Sequence, residues 1–346
     1  MKRILVTGGA GFIGSNFVRY LYNKYPDYRI MVLDALTYAG NIENLPVDLN
    51  NVWEKDERIT FWYGDVRNAN LVDTLVEQSD IVIHMAAETH VTRSIYDNKL
   101  FFETDVIGTQ TIANAVLKYA DQVERFIHIS TSEVYGTARG DVIDEEHPLM
   151  PMSPYASAKA GADRLVYSYW ATYGIPAIII RPFNNYGCYQ HLEKVVPRFI
   201  TSCILDEPLN VHGDGKAMRD WVFVQDHCEA LDKALHCDIE KIQGEVINIG
   251  SGRSVSIEDI AYLVVEKMGK STALIKYIDD RPGQVIRHTS STAKAKELLG
   301  WRAATSFEHG LDIAVDWYKD NQTWWEKQLW MRSIPIVTKS GKRVIH

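Results

Sequence analysis

The chain is poor in the residues that staple small secreted domains or build metal centres. Only four cysteines occur in 346 residues, at Cys188, Cys203, Cys228 and Cys237, and none belongs to a CxxC pair. That excludes a disulfide framework or a zinc knuckle as the organising device. The 11 histidines form no HExxH and no tight His/Cys group, so no metal site is expected. Long basic runs are missing too: the formal net charge is −8, and the short cluster "KSGKR" near the tail reads as a solvated end. A nucleic-acid binder needs a basic face, so that class is disfavoured. No apolar stretch approaches a membrane span, and the opening "MKRILVTGGAGFIG" lacks the pattern of a cleaved signal. These absences point to a soluble chain with reduced thiols in the cytoplasm.

What is present is a globular balance, 46% apolar and 24% charged, with length for one large domain or two moderate ones. Short apolar runs recur at 3–8, 30–35, 59–65, 81–87, 125–130 and 176–183. Their apolarity is continuous rather than alternating, which marks strands buried on both faces of a parallel sheet. Between them, 15–25, 70–78, 106–120 and 157–174 carry amphipathic helical patterns. This βαβ alternation predicts a doubly wound, Rossmann-type α/β sheet over 1–183. Beyond residue 184 the alternation weakens, and helical patterns at 194–205, 226–237 and 256–268 alternate with loops. A smaller C-terminal α/β substrate domain is expected over 184–322, closing on the sheet's carboxyl edge. "VINIG" (246–250) is a strand that can return to the sheet, and 323–346 is a tail.

"TGGAGFIG" places Gly8, Gly11 and Gly14 at the first strand-to-helix turn, with Phe12 and Ile13 opening the helix. There the backbone must approach a pyrophosphate, and free helix N–H groups meet the anion. Asp34 ends the second strand, 20 residues after Gly14. A carboxylate there accepts ribose hydroxyls and repels a 2′-phosphate, which favours NAD over NADP. Asp65, beside Val66 in "YGDV", either reaches the adenine or caps the next helix. Ala86 completes the expected cofactor set, with Tyr155 and Lys159.

In "SPYASAK", Tyr155 and Lys159 share one helical face. An ammonium near a phenol favours phenolate, so the lysine is expected to lower the tyrosine pKa and make it a base. The strand ending in "STSE" supplies Thr131, Ser132 and Glu133, with Thr131 placed to hold a sugar hydroxyl.

With these motifs the chain resembles the extended short-chain dehydrogenase/reductases, and among them the nucleotide-sugar 4,6-dehydratases, above all those acting on dTDP-glucose. The likeness covers roughly residues 2 to 320 and also rests on "HMAAETHVTRSI", "RPFNNYGCYQHLEKVVPRFI", "GDGKAMRDWVFVQDH" and "DRPGQVIRH". It implies tightly bound NAD and redox-neutral chemistry. Tyr155 takes the C4 hydroxyl proton during C4 oxidation, and Glu133 takes the C5 proton of the resulting ketone. Water then leaves from C6, and a 4-keto-6-deoxy sugar results.

One departure stands at Ser132. The dTDP-glucose enzymes have aspartic acid there to protonate the leaving C6 hydroxyl, and serine is too weak an acid for that. Thr-Ser-Glu resembles GDP-mannose and some UDP-N-acetylglucosamine dehydratases, and UDP-glucuronate decarboxylases also carry Ser-Glu. Glu133 is thus expected to serve both proton steps, directly or through water and Ser132.

The resemblance places Thr89, His90, Asn184, Lys194, Arg219, Asn248 and Arg281 against the nucleotide sugar. Guanidinium forks suit phosphate oxygens; a surface ion pair is the alternative role for Arg219 and Arg281, and stands level with phosphate binding for Arg287. His90, near Arg93, either lines the sugar pocket or has a core or capping role. Gln284 stands where the dTDP-glucose enzymes usually have histidine. The leading reading is a dehydratase; a UDP-glucuronate decarboxylase is the alternative. A catalytically silent NAD-binding regulator would predict a broken Tyr/Lys pair. The family also implies a homodimer paired through helices near 100–119 and 155–172, which carry Leu100, Phe101, Phe102, Leu165, Tyr169 and Trp170.

Overall fold

The computed structural model describes residues 1–47, 57–279, 285, 287–332, 335–337 and 340–345. In chain order, β1 (Arg3–Thr7), α1 (Phe12–Lys24), β2 (Arg29–Asp34), β3 (Ile59–Tyr63), α2 (Ala69–Glu77) and β4 (Ile81–His84) open the fold. Next come α3 (Val91–Tyr96), α4 (Lys99–Phe101), a π-helical stretch Phe102–Gly108, α5 (Thr109–Lys118), β5 (Arg125–Ile129), α6 (Pro154–Tyr173) and β6 (Ala177–Pro182). The second half runs β7 (Asn184–Tyr186), α7 (Val195–Ile204), β8 (Leu209–His212), β9 (Met218–Phe223), α8 (Val224–His236), α9 (Ile239–Ile242) and β10 (Val246–Ile249). It ends with β11 (Ser254–Ser256), α10 (Ile257–Lys267), β12 (Ile275–Ile278), β13 (Arg287–His288), α11 (Ala293–Leu299) and α12 (Phe307–Asp320), followed by short elements of the tail.

Seven strands form one parallel sheet in the order β10-β6-β5-β4-β1-β2-β3. Every residue of β4, β5 and β6 is buried, as continuous apolar runs require when helices cover both faces. This is the doubly wound Rossmann arrangement. Its strand order reverses between β1 and β4, where Thr7 and His84 pair in register and both strands end level. A crevice opens there, at the carboxyl ends.

The chain beyond residue 184 does not stay in one layer. β7, β8, β9, α7, α10 and α12 surround a second core that includes Tyr186, Phe199, Leu209, Trp221, Ile260, Phe307 and Tyr318. Yet α8 and α11 pack on the first core through Cys228, Leu231, Ala295 and Leu299, and β10 pairs with β6.

The helix that carries Tyr155 has strong end signals. Ser153 accepts the Ala156 amide, Pro154 sits in the first turn, and Gly174 at φ 70° ends α6. Phe101 turns inward against the Tyr155 ring, whereas Leu100, Phe102 and Ile107 stay exposed. Among the described residues no helix is long and apolar enough to cross a membrane.

Candidate functional site

A cleft of about 480 Å³ lies across the carboxyl ends of the sheet. Gly8, Gly11, Phe12, Ile13 and Gly14 line one end. Gly8 adopts φ 70°, and a Cβ there would lie 2.6 Å from the Ala86 amide nitrogen. A Cβ on Gly14 would lie 2.2 Å from the Gly8 carbonyl oxygen. The fold itself therefore demands these two glycines. Gly11 differs: its φ is −76°, and a Cβ there would meet only the Gly8 oxygen, at 3.3 Å. No side chain caps α1, and no carboxylate lies in its first turn. The unfilled space at Gly11 and the open helix N-terminus fit a pyrophosphate.

Asp34 ends β2 with its carboxylate held by the Ala10 amide at 2.9 Å and the Leu36 amide at 2.8 Å. Burial raises its pKa, and these two amides oppose the rise. Asp65, Val66 and Ala86 line the same end. The Asp65 carboxylate is engaged by Arg67 at 2.6 Å, while Asn68, not Asp65, caps α2.

At the other end of the cleft stand Thr131, Ser132, Glu133, Tyr155 and Lys159. Thr131 Oγ1 accepts the Glu133 amide at 3.2 Å, closing a tight turn just after β5. Ser132 is buried and Glu133 half-buried. The expected lowering of the tyrosine by Lys159 is not what the structure holds. Burial pushes the Tyr155 phenol well above its ordinary value, the Asp105 carboxylate adds to the rise, and hydrogen bonding to Thr131 only opposes it. Lys159 Nζ instead donates to the Ile129 carbonyl at 2.7 Å, and burial lowers its own pKa. Desolvation is the leading cause of both shifts.

Thr89, His90, Asn184, Lys194 and Arg219 line the cleft as well. His90 also caps α3, its Nδ1 accepting the Arg93 amide at 3.1 Å. Arg219 is buried, and its guanidinium donates to the carbonyls of Met218 and Val285. Asn248 is a correction, for it lies away from the cleft. Its Oδ1 accepts from Tyr135 Oη at 2.8 Å and its Nδ2 donates to the Ile143 carbonyl, so its amide is consumed in the core. Arg287 pairs with Asp141 at the surface. Arg281 and Gln284 lie outside the described residues.

Two groups escaped the motif reading. Glu193, beside Lys194, has a wholly buried carboxylate that accepts from Tyr38 Oη at 3.0 Å and faces His90, Arg93 and Lys194 at 3.5–3.8 Å. Burial alone would raise its pKa, yet these neighbours, Lys194 first, hold it below the ordinary carboxylate value. His288 donates Nε2–H to the Ser132 carbonyl at 2.9 Å and so fixes the turn that presents Glu133. Both residues stood in the motifs that carry the resemblance, but residue type alone does not reveal partners brought in from distant segments.

The family model described as GDP-mannose 4,6 dehydratase matches residues 5–314. The chain belongs to this family. Among its relatives, the low-salt glycan biosynthesis protein Agl12 of Haloferax volcanii is 45% identical, over 91% of this chain and 98% of its own. The dTDP-glucose 4,6-dehydratase of Streptomyces niveus is 40% identical, over 94% and 95%. The dTDP-glucose 4,6-dehydratase DesIV of Streptomyces venezuelae, solved with NAD bound, superposes with a TM-score of 0.88 at 40% identity, covering 94% of this chain and 99% of that one. The likeness of this GDP-mannose 4,6 dehydratase family member to its relatives thus spans both cores.

Proposed function

We propose that the protein is an NAD-dependent nucleotide-hexose 4,6-dehydratase of the dTDP-glucose type, a hydro-lyase. The observation that carries this reading is one cleft with a pyrophosphate-fitting glycine turn and Asp34 at one end, and Thr131, Glu133, Tyr155 and Lys159 at the other. Gly8, Gly11, Gly14 and Asp34 would hold NAD, which supplies the hydride carrier for C4 and C6 and a cationic ring. Thr131 orients the C4 hydroxyl for Tyr155, which takes its proton. The C4 ketone acidifies C5–H, and Glu133 removes that proton. The same carboxyl then protonates the departing C6 hydroxyl, with Ser132 as a hydrogen-bond donor to that oxygen. Lys194 and Arg219 are the cations that meet the diphosphate.

A homodimer in the cytoplasm accompanies this reading. Exposed Leu100, Phe102, Ile107 and Tyr167 offer an apolar face for a second copy, and the cysteines are free. The deciding experiment incubates the protein separately with dTDP-glucose, GDP-mannose, UDP-N-acetylglucosamine and UDP-glucuronate and reads product masses. Loss of water without net NADH is expected, first with dTDP-glucose. Loss of carbon dioxide from UDP-glucuronate would replace the dehydratase by a decarboxylase, the reading that Ser132 beside Glu133 also permits.

A further inference from the structure

Between α4 and α5 the chain winds as a π-helix over Phe102–Gly108. Such bulges are rare and gather at functional sites. This one turns Asp105 wholly inward. Its Oδ1 accepts the amide of Glu88, a residue of the cleft wall, at 2.8 Å, while its buried Oδ2 has no hydrogen-bond partner. A half-satisfied carboxylate in the interior is costly when charged, so its surroundings matter.

Those surroundings are the reacting pair. α6 packs along the π-helical stretch and brings Tyr155 and Lys159 within electrostatic reach of Asp105. After burial itself, Asp105 is the largest charge influence on each of them. Other groups face the same region. Asp163 on α6 acts on Lys159, Glu88 acts on Asp105, and Glu133 acts on Tyr155. His84 on β4 and His128 on β5 are kept neutral, chiefly by burial and then by Lys159. On the outer side of the stretch, Glu103 is paired with Arg67 and Lys99.

We propose that Asp105 is a positioning residue of the reaction: an internal carboxyl whose charge state governs how readily Tyr155 gives up and regains its proton. A charged Asp105 opposes phenolate and favours the Lys159 ammonium; a neutral one does the reverse. Burial lifts this carboxyl to about 7, against the pull of Lys159 and of the Glu88 amide. Glu88 links it to the cleft wall, so the same proton also bears on the loop after β4. The role in catalysis rests on the dehydratase reading; the titration itself does not.

Asp105→Asn tests this, because an amide oxygen still accepts from Glu88 but cannot ionise. The first readout is melting temperature of the full chain between about pH 5 and pH 8.5. A carboxyl whose folded pKa is raised gives up stability as pH climbs from its unfolded value, about 4, through its folded one. The variant is thus expected to melt above wild type at alkaline pH, with the gap closing towards acid. A variant that melts below wild type at every pH would overturn the proposal, since that marks an ordinary paired carboxylate. Asp105→Thr, equally unable to ionise, must show the same pH trend, which guards against a fold defect peculiar to the amide. The second readout is kcat/KM against pH, with whichever sugar nucleotide is turned over. Loss of an inflection near neutrality, with KM held within about twofold, is expected. Superimposable profiles would overturn the role. If no sugar is turned over, the dehydratase reading fails, while the melting series still decides whether Asp105 carries the proton.

Discussion

Gly11 and Gly14 share a motif but answer to different neighbours, and alanine at each separates fold from cofactor. A Cβ on Gly14 would lie 2.2 Å from the Gly8 oxygen and 2.8 Å from the Gly9 Cα. These are backbone atoms, and carbon contacts are comfortable only near 3.5–4.0 Å, so the turn must shift by roughly an ångström. Overpacking of this kind costs about 1–3 kcal/mol, or a melting temperature lower by several degrees. At Gly11 the added carbon would stand 3.3 Å from one oxygen, with φ already −76°. Alanine is a clearly poorer N-cap than glycine, so the fold should lose roughly 0.5–1 kcal/mol, still less than at Gly14. The methyl nevertheless enters the space left for a pyrophosphate, and a tenfold weaker grip corresponds to about 1.4 kcal/mol. The assay strips bound cofactor, then follows melting as NAD is added back. Gly14→Ala should melt low from the start. Gly11→Ala should start near wild type and gain little from NAD. A Gly11→Ala protein that NAD stabilises as fully as wild type would refute the assignment of that space to the cofactor.

Other consequences can be checked directly. On the proposal that Glu133 performs the acid step, Ser132→Asp should bring no gain in kcat; a clear rise would show that serine marks a missing acid. The Arg181–Asp163 pair is buried and bidentate at 2.8 Å, with Tyr135 on the free guanidinium nitrogen. Asp163→Ala should then cost roughly 3–5 kcal/mol by leaving a buried cation unpaired, whereas Arg181→Met with Asp163→Leu should recover most of that in denaturant melts. On the far face, Asp232 bonds His236 and raises its pKa above the usual 6.5, with burial opposing. That contribution is full below about pH 6.5 and fades as pH rises through the raised value. The melting difference between wild type and His236→Gln should therefore be largest near pH 6 and shrink by pH 8, and with the His236 side chain 39% exposed it should stay near or below ~1 kcal/mol. A constant difference would remove His236 from the explanation.

The legible parts of this molecule are those encoded by local spacing. Strands β4 to β6 announced themselves because both faces are buried, and the helices at 195–204, 224–236 and 257–267 fell within a residue or two of their periodic patterns. Glycine spacing and the Tyr155/Lys159 interval likewise depend on neighbours only a turn apart. What stayed hidden depends on chain segments meeting at long range. Glu193 acquires its partners from Tyr38, His90 and Arg93, all more than ninety residues away. The resemblance places Asn248 against the nucleotide sugar, yet Tyr135, more than a hundred residues away, claims its amide. The rise in the Tyr155 pKa is hidden from the sequence for a related reason: spacing locates the lysine but does not report how completely both groups are dried.

The return of β10 to the sheet bears on how the chain is made. β6 is "AIIIRP", buried throughout, and its outer edge is closed only by β10, whose residues follow the whole β7–α9 excursion. During synthesis the first 183 residues emerge with three isoleucines on an unpaired sheet edge, a template for sticking to other chains. Cutting the gene at that point would yield an aggregating fragment rather than a free-standing cofactor module. A truncation of the gene is better placed after β10 than after β6.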